Sequence, residues 1–91
     1  MAFDSHANLA YSTVAVAPAP AASGTTLDVA DPTTFPAVPF NCTVWPTGVS
    51  PTIANAEIVR VTNITGSTFT ITRTQESTVA RTIIVGDQIA N

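Results

Sequence analysis

Apolar and polar positions alternate along this chain in short runs broken by proline, glycine, asparagine and serine, which is the pattern of strands joined by turns. The clearest stretch is Ala56 to Arg81, AEIVRVTNITGSTFTITRTQESTVAR. A β-branched run from Glu57 to Thr62 enters a turn at Asn63-Ile64-Thr65-Gly66-Ser67 and returns as Thr68 to Thr74, which predicts a β-hairpin. Side chains alternate across a strand, so Phe69, Ile71 and Arg73 share one face while Thr68, Thr70, Thr72 and Thr74 form a threonine ladder on the other. Ile58, Val59 and Val61 put apolar groups on both faces of the outgoing arm, which predicts a central strand covered on both sides.

The remaining runs are shorter. Met1 to Ala10 is polar and irregular, and Tyr11 to Ala17 (YSTVAVA) alternates as a short strand. Pro18-Ala19-Pro20-Ala21-Ala22 favours an extended polyproline-like segment and Ser23-Gly24 a flexible joint. Residues 1–24 are therefore expected to form an extended arm held by a neighbouring subunit, with residues 25–91 as a small β-domain. Within that domain Thr26 to Val29 predicts a strand, and Asp31-Pro32 predicts a capped single helical turn. Phe35, Val38 and Phe40 are expected to plug the core along a proline-paced crossing. Asn41 to Trp45 predicts the next strand, with Ser50-Pro51 capping another turn after it. Ser77 to Arg81 reads as a helical turn, Thr82 to Val85 as an apolar run, Gly86-Asp87 as a turn and Gln88 to Ala90 as a last edge strand. The sum is an all-β fold, a small antiparallel β-barrel or roll with an N-terminal arm.

Composition narrows the function classes. A chain of 91 residues makes one domain at most and buries only about 60 to 65 per cent of its unfolded surface, so oligomerisation or docking is expected to help it. Charged residues are 10% of the chain, lysine is absent and the net charge is −3, which argues against nucleic acid as a partner. No apolar run is long enough for a signal peptide or a membrane span, so the expectation is a protein made in the cytoplasm and used without classical export. On that footing, the acceptor patterns Asn41-Cys42-Thr43 and Asn63-Ile64-Thr65 reflect a chain rich in Asn and Thr rather than glycosylation.

Candidate chemistry is sparse. Cys42 stands alone, which excludes an internal disulfide and a cysteine-built metal site and predicts a small buried hydrophobe. His6 is equally alone, and Asp4, Asp28, Asp31, Glu57, Glu76 and Asp87 are scattered, so no catalytic group, metal or cofactor is expected. Trp45 and Tyr11 are the candidates for an aromatic platform for sugars, against the more ordinary role of an amphipathic ring anchoring a core edge or an interface.

The run NAEIVRVTNITGSTFTITRTQESTVARTIIVGDQIA, preceded by TTLDVADPTTFPAVPFNCTVWP, resembles a small β-domain common in structural proteins of tailed bacteriophages. The matching elements are Phe35-Pro36, Glu57 to Thr62, Gly66, Thr68 to Arg73, Gln75-Glu76 and Gly86 to Ile89, about three quarters of the chain. Where that family tends to have glycine after Gln-Glu, this chain has Ser77, so a positive φ there would imply a reshaped turn or strain.

The resemblance implies a virion protein assembled in the bacterial host cytoplasm, and with the arm and the low charge it implies a capsid decoration, or cement, protein on the capsid surface. Its partners would be the major capsid protein and copies of itself, a trimer being one candidate. Tyr11, Val14, Val16, Pro18 and Pro20 of the arm are expected to bind those partners, the strand residues by strand addition. Gly66, Arg73, Glu76 and Gly86 are expected to set the turns, with Arg73 and Glu76 paired after the hairpin. Two other roles fit the same residues: a tail or tail-fibre adaptor, and a receptor- or carbohydrate-binding module that needs Trp45 exposed.

Overall fold

The computed structural model describes residues 10–91; residues 1–9, and with them His6 and the first part of the expected arm, lie outside the described residues. Six strands form: β1 (Tyr11–Val16), β2 (Thr26–Val29), β3 (Phe40–Trp45), β4 (Glu57–Thr65), β5 (Thr68–Gln75) and β6 (Gln88–Ala90). Every pairing is antiparallel, and the order β1-β2-β5-β4-β3-β6 closes on itself as a barrel.

Closure follows from the alternation. Each strand turns one face inward, and the residues of that face meet in one core: Val14, Leu27, Val29, Phe40, Val59 and Val61 among them, with Phe69, Ile71 and Ile89. Cys42 is buried with them. Burial pushes its thiol pKa up to about 12, so it behaves as a small hydrophobe. At the barrel end where β3 begins, Phe35 leans on the core, stacked on Phe40 at 6.0 Å and edge-on to Phe69 at 5.1 Å.

The hairpin is tighter than its sequence suggests. Strand β4 continues to Thr65, and Gly66-Ser67 alone make the turn, with Gly66 at φ 61° where a side chain would be strained. Arm β4 is central, pairing with β3 and β5, but it is covered on one face: Val59 and Val61 point inward while Ile58 is half-buried on the outside.

The arm expectation fails from Tyr11 onward. Strand β1 pairs with β2 on one side and with the last strand on the other, Tyr11 opposite Ala90 and Thr13 opposite Gln88. Its inward Val14 is 1% exposed. The physical reason is that a five-strand sheet would leave two open edges, and β1 satisfies both. Strand β6 is accordingly not an edge, since β3 pairs with its other side. Residues 18–24 are not extended either. Ser23 and Gly24 donate to the Pro20 carbonyl at 3.1 and 2.6 Å, and a Cβ on Gly24 would meet the Ala19 nitrogen at 2.7 Å, so glycine is needed for the chain to turn this closely.

Smaller expectations change as well. Val38 is 37% exposed and plugs nothing, because the turn after Phe35 carries it outward. Thr52, rather than Ser50, caps the turn before β4, with Ala56 N donating to its carbonyl at 3.0 Å. Residues 78–84 form no helical turn; they run without regular structure and insert the fully buried Ile83 into the core.

Candidate functional site

Two regions outside the aliphatic core concentrate chemistry. The first closes the barrel end where β4 begins. Glu57 is the inward residue ahead of Val59 and Val61, and Arg73 is the inward residue after Ile71, so strand alternation delivers a carboxylate and a guanidinium to the same interior level. They form a bidentate pair, Arg73 Nε to Glu57 Oε2 and Nη2 to Oε1, both at 2.8 Å. Glu57 also accepts from the backbone N–H of Thr74 at 2.8 Å and of Arg81 at 3.0 Å. Burial pushes its carboxyl up, but the Arg73 and backbone hydrogen bonds outweigh that and hold it below the usual carboxylate range.

Arg73 goes on to the carbonyls of Gly24 at 2.9 Å and Arg81 at 2.8 Å. A second pair sits beside it. Arg81 reaches Asp87 Oδ2 at 2.7 Å and the Asn55 carbonyl at 2.9 Å, while Asp87 also accepts from Ile84 N–H. The cluster is saturated: among the described residues no buried side-chain nitrogen or oxygen lacks a partner. Its donors and acceptors face one another, leaving none aimed at a ligand, so its work is to tie the segments around residues 21–24, 55 and 81–87 to the barrel. Among the described residues no group of three His, Cys, Asp or Glu gathers to hold a metal ion.

The expected Arg73–Glu76 pair is therefore corrected: Arg73 points inward to Glu57, and Glu76 accepts from Asn41 Nδ2 at 2.7 Å on the outside. Thr74, Glu76 and Ser77 have φ of 54°, 53° and 64°, the reshaped turn that serine in place of glycine implied. Gly86 takes φ 95°, its carbonyl accepting from the Thr47 hydroxyl.

The second region is on the outside. Register sets the outward residues Tyr11, Ala90, Thr43 and Ile58 side by side across β1, β6, β3 and β4. Trp45 lies one outward position further along β3, 6.4 Å from the Tyr11 ring and tilted 54° to it. Its indole N–H donates to the Val49 carbonyl at 2.9 Å, and Tyr11 donates to Gln88 Oε1 at 3.1 Å. Tilted rings whose polar tips are already engaged offer no flat platform, which favours the anchoring role. Over Thr43 and Ile58 the chain leaves a hollow of about 270 Å³, lined by Pro51, Thr52, Ile53, Ala56 and Thr78 besides those two residues.

Of the residues expected to bind partners, Tyr11 at 46% exposure and Val16 at 54% are on the surface, and Pro20 is exposed. Val14 and Pro18 are buried and have no surface to offer. Strand addition by β1 is corrected too, since both its edges are taken. The hollow escaped the sequence reading because its walls outside the strands, Pro51 to Ile53, Ala56 and Thr78, have no periodicity. No model of a protein family matches this chain, and no curated protein matches it.

Proposed function

We propose that this chain is a structural protein of a tailed-phage virion, a capsid decoration protein that binds the assembled shell and stabilises it. The motifs from Phe35-Pro36 to Gly86-Ile89 bring the virion into view. The observation that carries the assembly role is the barrel's outer surface, where large apolar side chains stand exposed beside few charges: Ile53 and Val79 at 94% and 77%, with Val49, Ile84 and Val85 more than half or half exposed. A monomer working alone gains nothing from such a surface, whereas a lattice component covers it. The partners are the major capsid protein and further copies of this chain, and stabilisation follows by mass action, because a ligand that binds only the assembled state shifts the equilibrium toward it.

Quantitative mass spectrometry of purified particles tests the proposal. A copy number comparable to that of the major capsid protein is expected. A few copies per particle would overturn the decoration role and favour a tail or tail-fibre adaptor.

A further inference from the structure

The fold treats the two Asn-x-Thr patterns of the chain differently. Asn41 is half-buried on β3, a strand paired on both sides. Both ends of its amide are engaged: Nδ2 donates to Glu76 Oε2 at 2.7 Å, and Oδ1 accepts from Arg60 Nη1 at 3.1 Å. Cys42, between Asn41 and Thr43, is sealed in the core. A group attached to Asn41 Nδ2 would have to displace Glu76.

Asn63 is placed the other way round. Glu57, Val59 and Val61 face inward on β4, and strict alternation would send Asn63 inward after them. A bulge prevents this. Val61 lies opposite Ile71 and Asn63 opposite Thr70, so two steps on β4 match one on β5 and Thr62 is the extra residue. Beyond it the faces are exchanged: Ile64 packs against the core, while Asn63 and Thr65 are both exposed on the outside. There Asn63 Nδ2 donates to Thr65 Oγ1 at 3.2 Å. The amide and the hydroxyl two residues on, which the acceptor pattern requires, are thus presented together. Opposite them on β5 stand Thr70 and Thr68, short hydroxyl side chains beside which a sugar ring can lie.

We propose that Asn63 is an acceptor for N-linked glycosylation of the folded protein, and that the donor is a nucleoside-diphosphate hexose. This revises, for that residue, the expectation against glycosylation drawn from the sequence. In the transfer, Asn63 Nδ2 forms a bond to the anomeric carbon and the bond from that carbon to the diphosphate oxygen breaks. The nucleoside diphosphate leaves with the electron pair, and the amide proton passes to a base of the transferase. The donor class follows from the state of the acceptor. On an unfolded chain crossing a membrane, Asn41 and Asn63 are equally available, whereas a soluble transferase with a soluble donor meets the closed barrel, which presents Asn63 and withholds Asn41. The site does not depend on the virion reading. Asn63 lies toward the hairpin end of β4, while Ile53 precedes the start of that strand and Val79 follows the end of β5, so a sugar leaves those exposed apolar residues uncovered.

The test incubates the purified full chain with UDP-glucose and a soluble asparagine glucosyltransferase whose activity is verified on its standard acceptor peptide. Intact mass and peptide mapping should show a single added hexose, on Asn63. Asn63→Gln and Thr65→Ala, both at exposed positions, should stay unmodified. Thr65→Ser, which keeps the hydroxyl, and Asn41→Gln should still be modified, and unchanged circular dichroism would verify that all four variants fold. A wild-type chain that gains no hexose, a hexose on Asn41, or modification that survives Asn63→Gln would each overturn the proposal.

Discussion

Glu57 shows how one residue can be costly and indispensable together. A carboxylate inside a barrel loses its hydration, and the bidentate Arg73 guanidinium and two backbone N–H groups replace it. Removing one partner strands the other, so Glu57→Ala should destabilise the fold by about 3–5 kcal/mol in urea unfolding at neutral pH, the usual cost of breaking a buried pair. The pH dependence has a definite sign. Because the folded-state pKa of Glu57 lies below its ordinary value of 4.5, its contribution is complete above about pH 4.5 and is lost as pH falls through the lower folded value. The gap in urea midpoint between wild type and Glu57→Gln should therefore be widest near neutrality and shrink below pH 4.5. A gap that stays constant to pH 3 would refute this. Part of this site is legible in the residues. Alternation places Arg73 on the inward face with Phe69 and Ile71, but its partner depends on the β4–β5 register, which a bulge between Ile58 and Arg60 shifts. Ser77 could be suspected from its position after Gln-Glu, whereas the positive φ of Thr74 could not.

At the level of elements, short-range signals gave the strands and long-range closure decided what they meant. The alternation of YSTVAV identifies β1 but says nothing of its neighbours, which lie 79 residues away in the case of Tyr11 and Ala90. An Ala/Pro segment following the strand suggested an arm; in the structure it is a turn pinned by Arg73 through the Ala21 and Gly24 carbonyls. Deleting residues 1–24 should consequently not leave a folded domain. It removes Val14 from the core and opens the edges of β2 and β6, so thermal melts followed by circular dichroism should lose their cooperative transition. A chain beginning at Ala10, which keeps every contact described above, is the matched comparison and should melt cooperatively. Cooperative melting of the shorter chain would restore the arm. The segment from Thr78 to Asp87 was the least legible, because its burial of Ile83 and Asp87 follows from docking over a barrel end rather than from any period of its own.

For the whole molecule, a closed sheet around one core means that interior groups become accessible only by opening the barrel. Cys42 reports this directly, being 1% exposed on a strand paired on both sides. Its thiol should resist Ellman's reagent in the native state and react at a rate that follows the global unfolding equilibrium, so that Glu57→Ala accelerates labelling in proportion to its loss of stability. Rapid labelling of the stable native protein would show local opening of β3 instead. The same closure directs any partner to side chains, since among the described strands no backbone edge remains for pairing.

Three residues, Gln88 to Ala90, close that ring, and they are the last strand of the six to leave the ribosome. Until they emerge, β1 and β3 each carry an open edge, and no earlier strand can take the place between them. The nascent chain thus passes through a stage that is sticky on two sides, and it ends when a strand of a single tripeptide arrives.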